Sequence, residues 1–254
     1  MGATAPTASL PEHITIVRDG LEVAFTTVNQ VTAWRVQSAM SKEPGTIEWI
    51  DGFAPGEVLV DVGANIGLYA LCAARFRGAR VFAFEPESQN YALLNQNIHR
   101  NRLHASVTAY CIALSDETGY STLYLSEFQP GGSCHTFGEA LNPDRAPMAA
   151  VAFRQGSHAT TLDRLVGEGV LPVPQHIKID VDGIEHKVVR GAAQTLRDAR
   201  VRSVLVEINT KLDEHWGVVD SMLELGFAYS EAEAARARRK EGPFAGTGNY
   251  VFRR

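Results

Sequence analysis

The sequence of 254 residues has only three cysteines, Cys72, Cys111 and Cys134, an odd number with no close pair among them. That spacing excludes a disulfide framework and a cysteine-rich metal site, and it fits reduced thiols in a cytosolic protein. No apolar run is long enough to span a bilayer, and the N-terminus lacks the basic-then-apolar pattern of an export signal. The expectation is a soluble, cytoplasmic protein with no membrane partner. Positive charge is also short, with 24 basic against 29 acidic residues and a formal charge of −5. Nothing global draws such a chain to a phosphate backbone, so nucleic acid is not expected as a partner. A dinucleotide fingerprint is missing too. Gly63-Ala64-Asn65-Ile66-Gly67 lacks the middle glycine that lets a backbone approach a pyrophosphate, which disfavours that class of cofactor.

What is present is an α/β pattern. A composition of 45 % hydrophobic and 21 % charged residues fits one sizeable domain with a well-buried core. Residues 1–12, small and punctuated by proline, read as a flexible tail, with 13–56 as an N-terminal extension and 57–254 as a Rossmann-like core. The core opens on residues 58–67, VLVDVGANIG, an apolar run that stops at an acid and turns through glycines into a helix. Asp61 at this turn would repel phosphate but attract an ammonium or sulfonium group, and S-adenosylmethionine carries both. Val81-Phe82-Ala83-Phe84-Glu85 is a second apolar run ending in an acid, near the spacing of roughly 20 residues at which a carboxylate meets a ribose diol.

In chain order, residues 14–17 and 21–25 flank Arg18-Asp19-Gly20 and predict a β-hairpin. Residues 31–50 read as helical, interrupted at Pro44-Gly45; their aromatics, Trp34 and Trp49, either staple the extension to the sheet or lid the cofactor. A helix follows Gly67 and another runs to about Arg100, where Tyr91, Leu94 and Ile98 form an apolar stripe and Asn95, Asn97 and Asn101 face elsewhere. A third strand is predicted over 107–114, with Ser115 and Asp116 after it placed to read an adenine edge. Leu123-Tyr124-Leu125 extends the sheet or forms an inserted ribbon. Residues 129–158 read as one long irregular segment, of the kind that covers a substrate. Thr160-Thr161 caps a short helix, residues 176–181 form a fourth strand ending in Asp180 and Asp182, and residues 203–209 form a fifth ending in Glu207 and Asn209. Further strands at 227–230 and 249–254 flank a helix near Trp216 and a basic run, Arg236, Arg238, Arg239 and Lys240, read as a solvated face. Successive βα units joined by right-handed crossovers imply a doubly wound sheet with Asp61, Glu85, Asp180 and Glu207 on one rim.

These motifs, Asp61 to Gly67, Phe84-Glu85-Pro86, Ile177 through Glu185, and Val206-Glu207-Ile208-Asn209, resemble in order those of the FkbM family of methyltransferases. The resemblance extends from about Thr32 to the end, including Lys42-Glu43-Pro44, Trp49-Ile50 and Asn249-Tyr250. One departure is Asp182, where that family more often has Glu. The resemblance implies a class I methyltransferase fold, a mostly parallel seven-stranded sheet with an antiparallel last strand. It also implies O-methylation of hydroxyls on sugars or other natural products. Cofactor contacts are expected from Asp61, Gly63, Ala64, Asn65, Gly67, Glu85, Ser115 and Asp180. Asp180, Glu207 and His135 are the candidate catalytic residues, with His186 a further possible base. Asp180 acts alone or holds Mg²⁺ together with Glu207 and Asn209. The alternatives are an RNA ribose methyltransferase, since Lys178, Asp180 and Glu207 mimic three members of a Lys–Asp–Lys–Glu set, or a non-catalytic nucleotide-binding module. The sequence carries no signature of a particular oligomeric state.

Overall fold

Alternating residues in His13–Arg18 (β1) and Leu21–Thr26 (β2) pair antiparallel across Asp19 and Gly20, whose positive φ angles of 51° and 77° suit a two-residue hairpin turn. In the computed structural model, which describes residues 10–254, this hairpin leads into Gln30–Lys42 (α1) and Pro44–Asp51 (α2). Residues 1–9 of the expected tail lie outside the described residues. Asn29 and Thr32 close a reciprocal cap on α1. Pro44 opens α2 at the position where a missing N–H goes unneeded.

The core then alternates strand and helix: Val58–Val62 (β3), Leu68–Arg77 (α3), Arg80–Phe84 (β4), Ser88–Arg100 (α4) and Val107–Tyr110 (β5). Ala113–Leu114 (β6), Gly119–Leu125 (β7), Thr136–Phe137 (β8) and Phe153–Thr160 (β9) form a separate sheet in the order β6-β9-β7-β8. Leu162–Gly167 (α5), His176–Ile179 (β10), Glu185–Arg190 (α6), Ser203–Asn209 (β11), Asp213–Glu224 (α7), Ala228–Tyr229 (β12), Glu231–Ala237 (α8) and Thr247–Arg253 (β13) complete the chain.

The main sheet has seven strands in the order β12-β13-β11-β10-β3-β4-β5. All neighbours from β11 to β5 are parallel, and β13 runs antiparallel to both β11 and β12. Strands β3 and β10 lie side by side although far apart in sequence, so the winding reverses between them, where open α/β sheets bind their ligands. Register places Lys178 beside Asp61 and Phe84 beside Val62. All five residues of β3 are buried, as both faces are covered. One apolar layer joins the hairpin, α1, α2, α3 and α4; the other lies under α5 to α8.

Three expectations need correction. The strand predicted over 107–114 breaks into β5 and β6, which serve different sheets. Residues 129–158 are not irregular throughout, because β9 pairs with β7 from Phe153 to Ala159. Its sequence, FRQGSHAT, gave no strand signal because it is mostly polar and buried only at Ala159 and Thr160, so no apolar alternation marks it. Of the three asparagines expected to face elsewhere, Asn95 is exposed, but Asn97 and Asn101 are buried beside Leu94 and Ile98. Asn97 accepts from Thr26 N and donates to Ile66 O, both at 2.8 Å. Asn101 accepts from Ala24 N at 2.8 Å and donates to Ala24 O at 2.7 Å, so two amides fasten β2 to the core.

Candidate active site

The glycine turn after β3 is pressed against the end of β10. Gly63 has φ +81°, and a Cβ there would lie 1.9 Å from the Asp180 carbonyl oxygen, so backbone geometry and space both require glycine. The amides of Gly63 and Ala64 both donate to Phe84 O at 3.0 Å, and Asn65 N donates to Glu85 Oε2 at 2.7 Å. Glu85 Oε1 accepts from Glu87 N at 2.8 Å. Burial pushes the Glu85 carboxyl up to about 7, against the pull of these two amides. Asp61 is also buried, its Oδ1 has no hydrogen-bond partner, and burial raises it despite the Lys178 ammonium 3.8 Å away.

Part of the segment between β7 and β8 lies over this turn. Gly132 O accepts from Asn65 Nδ2 at 2.7 Å and from Asn90 Nδ2 at 3.1 Å, while Gly131 N donates to Asn90 Oδ1 at 2.7 Å. Two cavities result. A small one, about 70 Å³, lies under the segment and is lined by Glu85, Asn90, Leu114, His135 and their neighbours. A larger one of about 620 Å³ opens between the N-terminal extension and the sheet rim, against Arg35, Glu43, Tyr69, Glu207 and Arg239. Gly63, Asn65, Ser133, Asp180 and Asp182 line both, so the two spaces meet at the ends of β3 and β10.

That junction is a charge network. Lys178 Nζ donates to Asp180 Oδ2 at 2.9 Å, and it lies 5.4 Å from the Tyr69 ring centroid. Burial works against the lysine's charge, but Asp180 and Asp61 hold its ammonium above the ordinary range. Burial alone would raise Asp180; the Lys178 charge outweighs it and holds this carboxyl low. Glu207 is the reverse case. Burial, then the charges of Asp180, Asp182 and Glu185, push it well above the usual carboxylate range, opposed by Arg239 at 3.2 Å. Asp182, held at φ 60°, accepts from Cys134 N at 2.7 Å and is pushed up to about 7 by burial and by Asp180. Arg239 also reaches Glu43 at 3.3 Å, and Glu43 accepts from Tyr69 OH at 2.9 Å and Asn249 Nδ2 at 3.0 Å.

The structure thus brings Gly63, Ala64, Asn65, Glu85, Asp180 and Glu207 to the rim around the two cavities, whereas Asp61 lines neither and lies buried behind the turn beside Lys178, and Gly67 opens α3 at φ +86° behind them. Ser115 lines neither cavity: its Oγ donates to Asp116 and its carbonyl is packed against Gly191. The walls there are Ile112, Ala113 and Leu114 instead. His135 lines the small cavity, with Nδ1 accepting from Ser126 N at 3.3 Å, Nε2 unpartnered, and burial lowering its pKa. His186 lines neither, and burial with the charge of Arg190 pushes it down to about 4. Asn209 is directed away: its Nδ2 donates to Asp144 at 2.8 Å and its Oδ1 accepts from Lys211 N at 3.1 Å. With that oxygen engaged and with Asp180 and Glu207 already facing Lys178 and Arg239, the trio does not fit a divalent ion. No group of three or more His, Cys, Asp or Glu is placed to hold a metal among the described residues.

Sequence reasoning missed Asn90 and Tyr69, which carry no motif signal, and took Arg239 for part of a solvated face. The signal for Arg239 lay in its neighbours, since Arg238 donates to Tyr250 OH and Arg239 N to Thr247 O, which ties the run to β13.

The strand order with its antiparallel β13, and the acids at the ends of β3, β4, β10 and β11, define a class I methyltransferase fold. Within that class the chain belongs to the FkbM methyltransferase family, whose model, described as Methyltransferase FkbM domain, matches residues 61–229. The chain is 27 % identical over 202 residues to the hexuronic acid methyltransferase AglP of Haloferax volcanii, covering 76 % of this chain and 73 % of that one. It is 29 % identical over 222 residues to the 31-O-demethyl-FK506 methyltransferase FkbM of Streptomyces tacrolimicus, covering 74 % and 83 % respectively. Among solved structures, a methyltransferase FkbM from Methylobacillus flagellatus KT matches with a TM-score of 0.51 at 15 % identity, over 80 % of this chain and 44 % of that one, a likeness of fold alone. The chain therefore spans less than half the length of that protein. No described helix is long and apolar enough to cross a membrane.

Proposed function

We propose that the protein is an S-adenosylmethionine-dependent O-methyltransferase acting on a hydroxyl of a small molecule, a sugar, glycoside or other natural product. The observation that carries this reading is the meeting of a small cavity and a much larger one at Gly63, Asn65, Ser133, Asp180 and Asp182. The residues present fit the cofactor. Glu85 lines the small cavity and offers a carboxylate suited to a ribose diol, the Gly63 turn borders both cavities, and the unpartnered Asp61 Oδ1, buried behind that turn, adds negative charge that suits a cationic methionine end. When bound, S-adenosylmethionine supplies an electrophilic methyl carbon. The relatives' names point to small molecules, a hexuronic acid and 31-O-demethyl-FK506.

Positioning supplies most of the acceleration, because well-oriented intramolecular reactions gain roughly 7–11 kcal/mol. The hydroxyl must still lose its proton. Asp180, held low by Lys178, is suited to accept a hydrogen bond and aim the oxygen. Glu207, raised by burial and neighbouring acids, is the stronger base and takes the proton, with Arg239 holding its carboxylate in place. A base must be ionised, so activity rises with pH through a midpoint above the ordinary carboxylate range.

A labelled methyl-transfer assay over hydroxylated sugars and natural products, with calorimetric titration of S-adenosylhomocysteine, tests the reading. Tight binding of NAD with none of S-adenosylhomocysteine would end it. Glu207→Gln should lower kcat by roughly 10²–10⁴-fold with the product nucleoside still bound; wild-type kcat in that variant removes Glu207 as base.

A further inference from the structure

The chain has three tryptophans, and two of them are structural. Trp49 is buried and donates from Nε1 to Ser203 Oγ at 2.7 Å, stapling α2 to β11; Trp216 donates from Nε1 to Thr210 O at 3.1 Å. Trp216 is also exposed, but its N–H is engaged; Trp34 differs from both in its N–H and in its place at a cavity. It is 51 % exposed, its indole N–H has no partner among the described residues, and it lines the 620 Å³ cavity from α1. A second exposed aromatic, Phe244, 39 % exposed, lines the same cavity from the segment between α8 and β13.

The two rings are joined by one strip of charge. Lys42 Nζ lies 5.6 Å from the Trp34 ring centroid and 3.1 Å from Glu43 Oε1. Arg239 lies 3.3 Å from that same Glu43 oxygen, and its guanidinium carbon is 5.6 Å from the Phe244 ring centroid. Each aromatic ring therefore has a cation on it, and a single, largely enclosed carboxylate anchors both cations. Isolated exposed aromatics need no explanation. Two that border one cavity, each oriented by a cation tied to the same acid, form a built edge.

We propose that Trp34 and Phe244 are specificity-determining residues that hold the saturated ring of a pyranose-type acceptor at the mouth of the large cavity. This inference rests on that cavity being the acceptor site, as argued above. A pyranose presents apolar C–H faces and hydroxyl edges, so it matches aromatic faces set beside Lys42, Glu43 and Arg239. An open-chain polyol offers the same hydroxyls without a face to stack. The indole N–H of Trp34 gives a ring hydroxyl a donor that no group among the described residues claims. Stacking on the rim positions the ring, leaving the inner hydroxyl to Asp180 and Glu207.

The test uses the full chain saturated with S-adenosylhomocysteine. Methyl pyranosides of hexoses, deoxyhexoses and hexuronic acids are titrated by calorimetry, with sorbitol as the open-chain probe. The expected result is that one or more pyranosides bind and sorbitol does not. Trp34→Ala and Phe244→Ala should each weaken that binding by about three- to tenfold, the range that aromatic contacts of this kind correspond to. Trp34→Phe and Phe244→Tyr, which keep a ring, should retain most of the affinity. In turnover the alanine variants should raise KM with kcat little changed, the mark of binding lost equally in ground and transition states. Equal pyranoside affinity in wild type and alanine variants, binding of sorbitol as tight as any pyranoside, or no pyranoside binding at all would each overturn the proposal. Failure of S-adenosylhomocysteine itself to bind would instead strike the methyltransferase reading, so the two failures are separate.

Discussion

At Gly63 two constraints coincide, and a comparison with Gly20 separates them. Both have positive φ, +81° and +77°, but a Cβ at Gly20 meets nothing within 4 Å, whereas at Gly63 it meets the Asp180 carbonyl. Gly20→Ala should therefore cost only the left-handed strain, about 1–2 kcal/mol. Gly63→Ala must also part β3 from β10, and should cost on the order of 3 kcal/mol or more and abolish binding of S-adenosylhomocysteine. Chemical denaturation and calorimetry on the pair check this; equal costs would mean the turn has room to relax. Asp182 carries a pH prediction. Its carboxyl is raised to about 7 in the folded chain from an ordinary 3.8, so the stability of its protonated form is complete below about pH 4 and is lost as pH rises through 7. Asp182→Asn keeps an acceptor for Cys134 N, tolerates the φ of 60° and never ionises. Its unfolding free energy should exceed that of the wild type by a margin that widens from pH 5 to pH 8, reaching ~1–3 kcal/mol once partial exposure is discounted. A margin that does not change with pH would show that the carboxylate is already charged without penalty.

At the scale of elements, the hairpin is held by side chains rather than by sheet pairing, since β1 and β2 pair only with each other. Asn97→Ala should leave Thr26 N and Ile66 O without partners, costing about 1–3 kcal/mol. Amide exchange at Thr26 should speed up while β3 and β4 stay protected; unchanged exchange there would mean that α4 does not hold the hairpin. The same helix shows what a pattern conveys. Its apolar stripe was legible at Leu94 and Ile98, but asparagines read as outward because polarity is the only cue a sequence offers, and their burial depends on backbone groups of β2 that lie far away in the chain. Elements with their own periodicity or turn chemistry, the hairpin, β3, β4, β10 and β11, were legible. Strand β9 was not, because its identity comes from its partner β7. Trp34 and Trp49 illustrate the same limit: one staples the extension, the other edges a cavity, and nothing local distinguishes them.

Taken whole, the molecule places its acids on one rim because four parallel strands end together, and that much follows from the order of βα units alone. Which acid does what does not follow, since Asp180 is held low by the Lys178 charge beside it, whereas Glu207 is raised by burial and by acids from other parts of the chain against the opposing charge of Arg239. The formal charge of −5 is also a whole-molecule property, and it sets a prediction: an RNA oligomer should not be retained at physiological salt, whereas retention there without methylation of any sugar would favour the ribose reading. The position of β13 has a further consequence. It lies between β11 and β12, and it delivers Tyr250 and Phe252, two of the largest fully buried side chains. During synthesis, β11 must therefore wait with an open edge until residues 247–253 have left the ribosome, so a nascent chain stalled short of them would expose an unpaired, apolar strand and become a natural target for chaperones or for aggregation.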